Sequence, residues 1–405
     1  MSTATHKPIY IASYHQSTFG KLFDITVPDM IDRAVAGACA DIGASPAAID
    51  VGSIGSACGL TLNEQGLIAG LLASVPGLEA KPIEAVENAC ATGGQAVLSV
   101  IQKLLLGMGE VGVAVGFEKM RDKAGKMDGQ LIGKVLGYFS HPDEREGKVF
   151  VFPHLFAEVM SAYMNEHQVS GRELASIAVT EYRNAHFNPY AQMRNVDLTL
   201  DMAEKLEGVN RCIVDGLPLK TYDCSQITDG YAALILATED GLARLGLKPS
   251  QCVRVAGWGQ ATDPLKKAGR DVLRPKGAYA AMQSAYTMAG ISPKDVNVAE
   301  LHDCFTVMGA IGTEVIGKAE VGKGARFWAD GKADVGGECA INTSGGLIAK
   351  GHPIGATGIA MIGWSAWQLQ GKVPKELQVA SPRYAATFNI GGPICASVCT
   401  VLAAS

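Results

Sequence analysis

The sequence has no long apolar run and little net charge of either sign. None of its apolar stretches reaches the ~18 consecutive residues that a membrane-spanning helix needs, so no span is predicted. The formal net charge of the 405 residues is −5, and a protein this close to neutrality has no general attraction for nucleic acid or for an acidic membrane surface. We therefore expect a soluble protein whose ligands are small molecules.

The ten cysteines form no Cys-x-x-Cys pair and no Cys/His cluster with zinc spacing. No metal site is therefore predicted, and reduced thiols in a cytoplasmic protein are expected. The first residues lack the apolar core of a signal peptide, and the last three carry no peroxisomal or retention signal. Together these absences predict a cytoplasmic location.

What the chain does contain is 48 glycines and 48% hydrophobic residues. This composition is typical of an α/β enzyme with large cores and with sites built from loops. Strand-like and helix-like segments alternate, which predicts a largely parallel sheet covered on both faces. The first of them are strands at 8–13, 51–58 and 111–116 and helices at 28–43, 63–75 and 96–106.

Residues 119–225 are more polar and more charged than the segments on either side. A helix is predicted at 171–184, with Ser170 as its N-cap and Glu173 as the capping-box partner. We interpret the region as an insertion that carries a substrate-access surface. An ordinary α-helical subdomain is the alternative.

After the insertion the pattern of strands and helices resumes and then repeats. The repeat includes helices at 277–290 and 359–370 and strands at 296–300, 383–389 and 394–402. In each series a turn of small residues opens a buried helix, at 91–94 and again at 355–358. An internal duplication would place these turns on either side of a pseudo-twofold axis, where Cys90 and His352 could meet.

Cys90 lies at the mouth of the first of these helices. The partial positive charge of a helix N-terminus favours thiolate over thiol, and so favours a nucleophile. The alternative is that Cys90 is one more small buried residue, which cysteine often is.

Three further groups fall in predicted loops at the ends of strands. His352 lies in a Gly-rich turn, His302 and Cys304 follow a strand, and Gly391 begins a turn whose N–H groups could face an oxyanion. Each has a plain structural alternative: a packing histidine, a local hydrogen bond, a buried thiol or a hairpin. Together they suit acyl transfer through a thioester, with a second acid/base such as Cys304.

Three motifs give the chain a resemblance to a known family. Asn88-Ala89-Cys90-Ala91-Thr92-Gly93 is similar to the nucleophile motif of the thiolase superfamily. The segment 301–305, Leu-His-Asp-Cys-Phe, resembles the fingerprint of its sterol-carrier-protein type, and the segment 345–358 resembles the loop of the catalytic histidine. The resemblance covers nearly the whole chain.

The resemblance implies a duplicated five-layer αβαβα fold with an inserted loop domain that covers coenzyme A. It implies an N-terminal half formed by residues 1–118 together with 226–272, a C-terminal half formed by residues 273–405, and a loop domain formed by residues 119–225. A homodimer or larger oligomer is expected, which additional subunits could join. Coenzyme A and acyl-CoA would be substrates, and no permanently bound cofactor is expected.

The resemblance also implies roles for individual residues. Cys90 would be acylated, and His352 would activate it and help bind the thioester oxygen. His302 would support that oxyanion hole, and the N–H groups of Cys90 and Gly391 would form a second one.

One motif departs from the family. Most thiolases have a second catalytic cysteine in a C-terminal Cys-x-Gly-Gly motif, but here the matching residues are Asn389-Ile390-Gly391-Gly392. In the sterol-carrier type the cysteine of the His-Asp-Cys-Phe motif is thought to take that role, and Cys304 occupies the matching position. Claisen chemistry therefore remains possible.

The sequence favours a thiolase-type acyltransferase that cleaves a 3-oxoacyl-CoA with CoA or runs the reverse condensation. A second hypothesis is an acyltransferase that moves acetyl groups onto a non-CoA acceptor such as a phenol, because the insertion is aromatic and bears histidines. A third is a non-enzymatic lipid-binding or scaffold subunit. Further candidates for substrate contact are His141, His154, Ser344 and Asn389.

Overall fold

The computed structural model describes residues 7–121 and 126–405. The first six residues, which belong to the segment predicted to lack a signal peptide, lie outside the described part, as do residues 122–125 of the insertion. Within the described ranges no helix is both long enough and apolar enough to cross a membrane.

The strands form one sheet with the order β3-β2-β4-β5-β1-β6-β10-β9-β7-β8. In chain order they are β1 (Tyr10–Gln16), β2 (Val51–Gly55), β3 (Ile83–Val86), β4 (Val111–Glu118), β5 (Gly230–Ala237), β6 (Val253–Thr262), β7 (Val298–Leu301), β8 (Ala340–Ile341), β9 (Tyr384–Gly391) and β10 (Ala396–Ala403).

The two halves of the sheet have the same strand order. Counted from the far edge, the second half is β8-β7-β9-β10-β6, which corresponds strand by strand to β3-β2-β4-β5-β1 in the first half. The two five-strand halves meet at β1 and β6, where Tyr10 pairs with Arg254 and Ile11 with Val253. The predicted internal duplication is therefore visible in the sheet. Because β6 also pairs with β10 along its length, residues 253–262 group with the second half, whereas the sequence analysis places them in the first. The domain boundaries themselves stay a prediction.

The prediction of a largely parallel sheet is wrong. Parallel pairs are confined to the two outer groups, β3–β2–β4 and β9–β7–β8, and every pair between β4 and β9 is antiparallel. Helical crossovers link the parallel strands, whereas β9 and β10 are joined by a tight turn that permits only an antiparallel pair.

Some helices cover the outer faces of the sheet, and others lie between its two five-strand halves. They are α1 (Val27–Asp41), α2 (Gly59–Leu62), α3 (Ile68–Ala73), α4 (Thr92–Leu105), α5 (Gly129–Gly137), α6 (Pro142–Arg145), α7 (Val151–His167), α8 (Gly171–Phe187), α9 (Leu200–Glu204), α10 (Glu239–Arg244), α11 (Lys276–Ala289), α12 (Thr306–Val315), α13 (Gly324–Ala329) and α14 (Ile354–Gln370). Single 3-10 turns and one short π-helical turn, Gly346–Lys350, complete the regular structure of the described residues.

The layers follow from which helices pack on which strands. Helices α4 and α14 pack on each other, and α14 contacts strands of both halves, so these two helices form the middle layer. Helix α1 covers β1 and β5, and α11 covers β6 and β10. The five-layer αβαβα arrangement is confirmed. Since α14 is apolar around almost its whole surface, it is stable only when buried on all sides.

Two helix predictions differ in their bounds. Of the helix predicted at 63–75 only α3 forms, because Glu64 and Leu67 adopt left-handed backbones with φ of 54° and 46° that interrupt helical hydrogen bonding, and α2 ends before the predicted range. The helix predicted from 359 begins at Ile354, so the residues 355–358 form its first turn. In the insertion, α8 has the predicted capping box between Ser170 and Glu173.

Candidate active site

The turn before α4 holds Cys90 in a fixed position. Ala89 adopts a left-handed backbone with φ of 47°, a conformation that costs an alanine ~1–2 kcal/mol. The Thr92 hydroxyl donates to the Ala89 carbonyl at 2.6 Å and accepts from the Asn88 N–H at 2.8 Å. This side chain therefore stabilises the strained turn and places Cys90 directly before the helix.

The Cys90 thiol is protonated in the resting site. Burial, and after it the charges of Glu118 and Glu87, raise the pKa of Cys90 to about 12, although N–H groups of Gly392 and of Cys90 itself act in the opposite direction. The expected effect of the helix N-terminus is thus outweighed by desolvation and by carboxylates. If Cys90 acts as the predicted nucleophile, it must lose its proton while it attacks.

His352 is arranged to accept that proton. Its Nδ1 lies 2.7 Å from the Thr357 hydroxyl oxygen, and that hydroxyl donates to the Pro353 carbonyl at 3.0 Å. With the hydroxyl proton on the Pro353 carbonyl, Nδ1 donates to Thr357, and this arrangement leaves the lone pair on Nε2. Burial, and secondly the charge of Lys350, lower the pKa of His352 to about 3, so the ring is neutral.

The nucleophile and both histidines converge on one point. The Cys90 sulfur and one ring nitrogen of each histidine lie within 4.8 Å of one another. The His302 and His352 rings meet edge to face with centroids 5.0 Å apart, and Nε2 of each is buried without a hydrogen-bond partner. These three atoms could also coordinate a soft metal ion. A bound ion would, however, occupy the Cys90 sulfur and the imidazole lone pair that acyl transfer needs. The absence of a metal stays a prediction.

Two close approaches of backbone make this convergence possible. A Cβ built on Gly93 would lie 2.8 Å from the nitrogen of Gly358, and one on Gly358 would lie 2.2 Å from the nitrogen of Gly94. The N-termini of α4 and α14 therefore touch through glycine, and this contact brings Cys90 and His352 together from opposite halves of the chain.

The other predicted groups lie in or beside the same site. Cys304 lines the cavity at Cys90, and burial, followed by the neighbouring Cys90, raises its pKa well above the usual value. Gly391 packs against the nucleophile turn, where a Cβ would lie 2.2 Å from the Asn88 carbonyl. Gly392 lines the cavity instead, and its N–H faces the Cys90 thiol. The geometry thus favours Gly392 over Gly391 as a donor, and the role itself stays a prediction.

The four further candidates for substrate contact do not line the cavity. His141 caps α6 through a hydrogen bond from the Asp143 N–H, and His154 pairs with Glu158 on the surface at 3.3 Å. Ser344 is fully buried and donates to Glu300. Asn389 lies directly behind Cys90 and His302.

The cavity in front of Cys90 is mainly apolar, with a volume of about 140 Å³. Its walls include two phenylalanines of the insertion, Phe139 and Phe152, and Phe305 after the His-Asp-Cys sequence. Sequence reasoning noted the aromatic insertion but proposed no role in the site for Cys224, a third thiol in the wall. The full lining is Cys90, Met120, Leu136, Phe139, Phe152, Pro153, Cys224, Ser225, Gln226, Ile227, His302, Cys304, Phe305, His352, Ile354 and Gly392.

Sequence reasoning missed Glu118, whose side chain forms hydrogen bonds with the backbone around the site. Its fully buried carboxylate accepts hydrogen bonds from Ser56 Oγ and from the N–H groups of Ala57, Cys58 and Gly355, at 2.8–3.1 Å. A charged residue at the end of an otherwise apolar strand was the available signal.

Asp303 supports the loop that leads to His352. Its buried carboxylate accepts from the N–H groups of Leu347 and Ile348 and from the side chain of Asn342, at 2.8–3.1 Å. Burial raises the pKa of Asp303, and burial and Asp303 raise that of Glu181. Asp303, which the sequence analysis treated only as a neighbour of His302, therefore orders the π-helical turn before the loop of His352.

A thiol beside a neutral imidazole, in an apolar cavity of a duplicated five-layer fold, suits an acyltransferase that works through a thioester. Comparisons with known proteins agree. Residues 9–240 match the description "Thiolase, N-terminal domain" and residues 259–404 match "Thiolase C-terminal domain-like". The chain belongs to the thiolase family.

Two relatives and one solved structure illustrate the similarity. An acetyl-CoA acetyltransferase of Methanothermobacter thermautotrophicus is 33% identical over 386 residues, 95% of this chain and 97% of the relative. Sterol carrier protein 2 of Bos taurus is 31% identical over 377 residues, which are 90% of this chain but 66% of that protein. The structure of the Ltp2-ChsH2(DUF35) aldolase has a TM-score of 0.81 at 21% identity and covers 98% of both chains, which shows a shared fold. The resemblance to the sterol-carrier-type branch is confirmed.

Proposed function

We propose that the protein cleaves a 3-oxoacyl-CoA with CoA, or runs the reverse condensation, through an acyl group on Cys90. The observation that carries the proposal is the convergence of the Cys90 sulfur with ring nitrogens of His302 and His352 within 4.8 Å. A thiol, a base and a second polar group at one point are what attack on a carbonyl requires.

In the cleavage direction Cys90 attacks the 3-oxo carbonyl while its proton passes to Nε2 of His352. Hydrogen-bond donors around the cavity stabilise the negative charge on the oxygen. The bond between C2 and C3 then breaks, which leaves the acyl group on Cys90 and the electron pair on C2 of acetyl-CoA. Protonation at C2 by Cys304 releases acetyl-CoA and leaves Cys304 as a thiolate. The thiol of CoA then gives its proton to Cys304 and attacks the thioester carbonyl, and Cys90 leaves and recovers its proton from His352.

The raised pKa of Cys304 suits an acid in this step, because the group holds its proton until a strong base forms beside it. Cys304 and Cys90 line the same cavity. This placement supports Cys304 in the role that the missing C-terminal cysteine would otherwise have.

Mass spectrometry of the intact protein after exposure to a panel of acyl-CoAs tests the acyl-enzyme. We expect one added acyl group on the native protein, none on Cys90→Ala, and an unchanged result for Cys212→Ala, since Cys212 is a half-buried thiol outside the cavity. An acyl group on Cys90→Ala, or turnover by that variant, would refute the role of Cys90.

Transfer to a phenolic acceptor is the second candidate. Phe139 and Phe152 line the cavity and support it, whereas Tyr138, His141 and His154 lie outside the cavity lining. The acylated protein should be offered CoA and a simple phenol in separate reactions. Release of the acyl group to CoA alone supports the thiolase reaction, and release to the phenol alone supports the second candidate.

We further propose a homodimer, which additional subunits could join, in the cytoplasm. The edge strand β3 is partly exposed and is paired on one side only within the described chain, and such an edge is available for pairing with another chain. The similar aldolase, Ltp2-ChsH2(DUF35), is a complex with a DUF35 subunit. Light scattering of the purified protein tests the dimer, and cell fractionation tests the location.

A further inference from the structure

We propose that Asn389 is a positioning residue that holds the proton of His302 on Nε2, so that His302 acts as a hydrogen-bond donor and not as a base. The kinetic part of this inference rests on the proposed function. The protonation of the ring does not, and it can be measured separately.

The neighbours of Asn389 fix which way its amide faces. Its Oδ1 lies 3.3 Å from the Gly94 N–H, which can only donate, and its Nδ2 lies 3.0 Å from the Cys90 carbonyl, which can only accept. A reversed amide would place two acceptors together at Cys90 and two donors together at Gly94. Because Asn389 is only 2% exposed, water cannot easily compensate for such a reversal.

This orientation decides the state of His302. The second N–H of the Asn389 amide points to Nδ1 of His302 at 3.0 Å. An amide N–H needs an acceptor, so Nδ1 carries the lone pair and the proton of the neutral ring resides on Nε2. Burial, followed by the neighbouring His352, lowers the pKa of His302 far below its usual value, which keeps the ring neutral.

The two histidines are therefore opposite tautomers. Thr357 accepts from Nδ1 of His352 and leaves a lone pair on Nε2, whereas Asn389 donates to Nδ1 of His302 and leaves an N–H on Nε2. Both Nε2 atoms are buried without a partner beside Cys90. One ring can take the thiol proton while the other donates to the oxygen that becomes negative.

The surrounding glycines make room for the Asn389 amide. A Cβ on Gly358 would lie 2.3 Å from its Oδ1, and one on Gly94 would lie 2.9 Å from the same atom. The amide thus sits in a slot between the N-termini of the two central helices, and it connects the nucleophile turn to His302.

The kinetic test compares Asn389→Asp with Asn389→Ala. A carboxylate accepts instead of donating, so it draws the His302 proton to Nδ1 and raises the pKa of the ring. At pH 8 we expect kcat of Asn389→Asp to fall by about 10²–10³-fold, the usual effect of losing one oxyanion donor. Activity should recover as the pH falls, because the doubly protonated ring again has an N–H at Nε2. Asn389→Ala should lose less, by about tenfold at all pH values, since the tautomer is then free to vary.

A purely structural role predicts that both variants lose stability and activity, because each lacks the N–H that donates to the Cys90 carbonyl, and it predicts no recovery that follows protonation of the His302 ring. An Asn389→Asp variant that is as active as the native protein, or a loss that does not depend on pH, would overturn the inference.

The direct test is long-range ¹H–¹⁵N NMR of the native protein labelled with ¹⁵N-histidine. The chain has eight histidines, and His302→Gln identifies the signal of interest by its loss. We expect the His302 ring as the Nε2–H tautomer from roughly pH 6 to 9, with Nδ1 unprotonated. A protonated Nδ1 would overturn the inference even if the protein is an active thiolase. An Nε2–H signal in an inactive protein would instead leave the positioning role intact and count against the proposed function.

Discussion

The Glu118 carboxylate accepts the Gly355 N–H at 3.0 Å and so connects the two halves of the duplicated fold beside the nucleophile. Glu118 ends β4 in the first half, and Gly355 lies in the first turn of α14 in the second. The same carboxylate raises the pKa of Cys90. One buried charge therefore has a structural effect and an electrostatic effect on the same site.

Replacement of Glu118 by glutamine should separate these effects. The glutamine amide keeps one acceptor oxygen, but its NH₂ group would face the N–H donors that the second carboxylate oxygen now accepts. We therefore expect the free energy of unfolding, measured in urea, to fall by ~1–3 kcal/mol. Loss of the negative charge should lower the pKa of Cys90, and alkylation by iodoacetamide should become faster at a given pH. Greater stability together with unchanged alkylation would contradict both expectations.

Gly358→Ala should damage both stability and activity. The new methyl group would lie 2.2 Å from the Gly94 nitrogen, and relief of such a contact typically costs ~1–3 kcal/mol or more. Gly171→Ala is the matched control, because nothing lies within 4 Å of the built Cβ. Thermal unfolding and kcat should be affected only by the first substitution.

Thr357→Val should lower kcat without a comparable change in KM. Valine has the shape of threonine but cannot accept the Nδ1 proton of His352, so the base loses its fixed tautomer, and a loss of about 10–100-fold is expected. Thr357→Ser restores the hydroxyl and should recover most of the activity. If serine and valine behave alike, the hydroxyl does not orient His352.

The pH dependence should distinguish a neutral thiol–imidazole pair from a thiolate–imidazolium pair. With the pKa of His352 lowered to about 3 and that of Cys90 raised to about 12, both groups stay neutral over the accessible range. We expect kcat/KM to be flat from roughly pH 6 to 9, while alkylation of Cys90 by iodoacetamide rises about tenfold per pH unit. A kcat/KM profile with an ascending limb near pH 7 would show that one of these groups titrates there.

Cys304→Ala should separate acyl transfer from carbon–carbon bond chemistry. Acylation of Cys90 from a simple acyl-CoA requires His352 and the donors, so it should persist within about tenfold. Cleavage of 3-oxoacyl-CoA requires protonation of C2 and should fall by about 10²–10⁴-fold, the usual contribution of a general acid. Equal losses in both reactions would indicate that Cys304 only shapes the cavity.

The sequence predicted local structure correctly where interactions between residues close together in the chain determine it. The capping box of Ser170 and Glu173 and the buried helix after Cys90 depend on residues within a few positions of each other. The internal duplication followed from the repeated order of strands and helices, and the family followed from three motifs. The parallel character of the sheet was wrong, because strand direction depends on which strands meet across the insertion and on the tight turn between β9 and β10.

The sequence alone determined which residues could do chemistry: one thiol before a helix, two histidines in loops and a second thiol after a strand. The tertiary structure decided the states of these groups. Burial and carboxylates keep Cys90 a thiol, Thr357 lies where it can make His352 a base, and Asn389 lies where it can make His302 a donor. None of these contacts is visible as spacing along the chain, because a pKa or a tautomer is set by the atoms that surround a group in space.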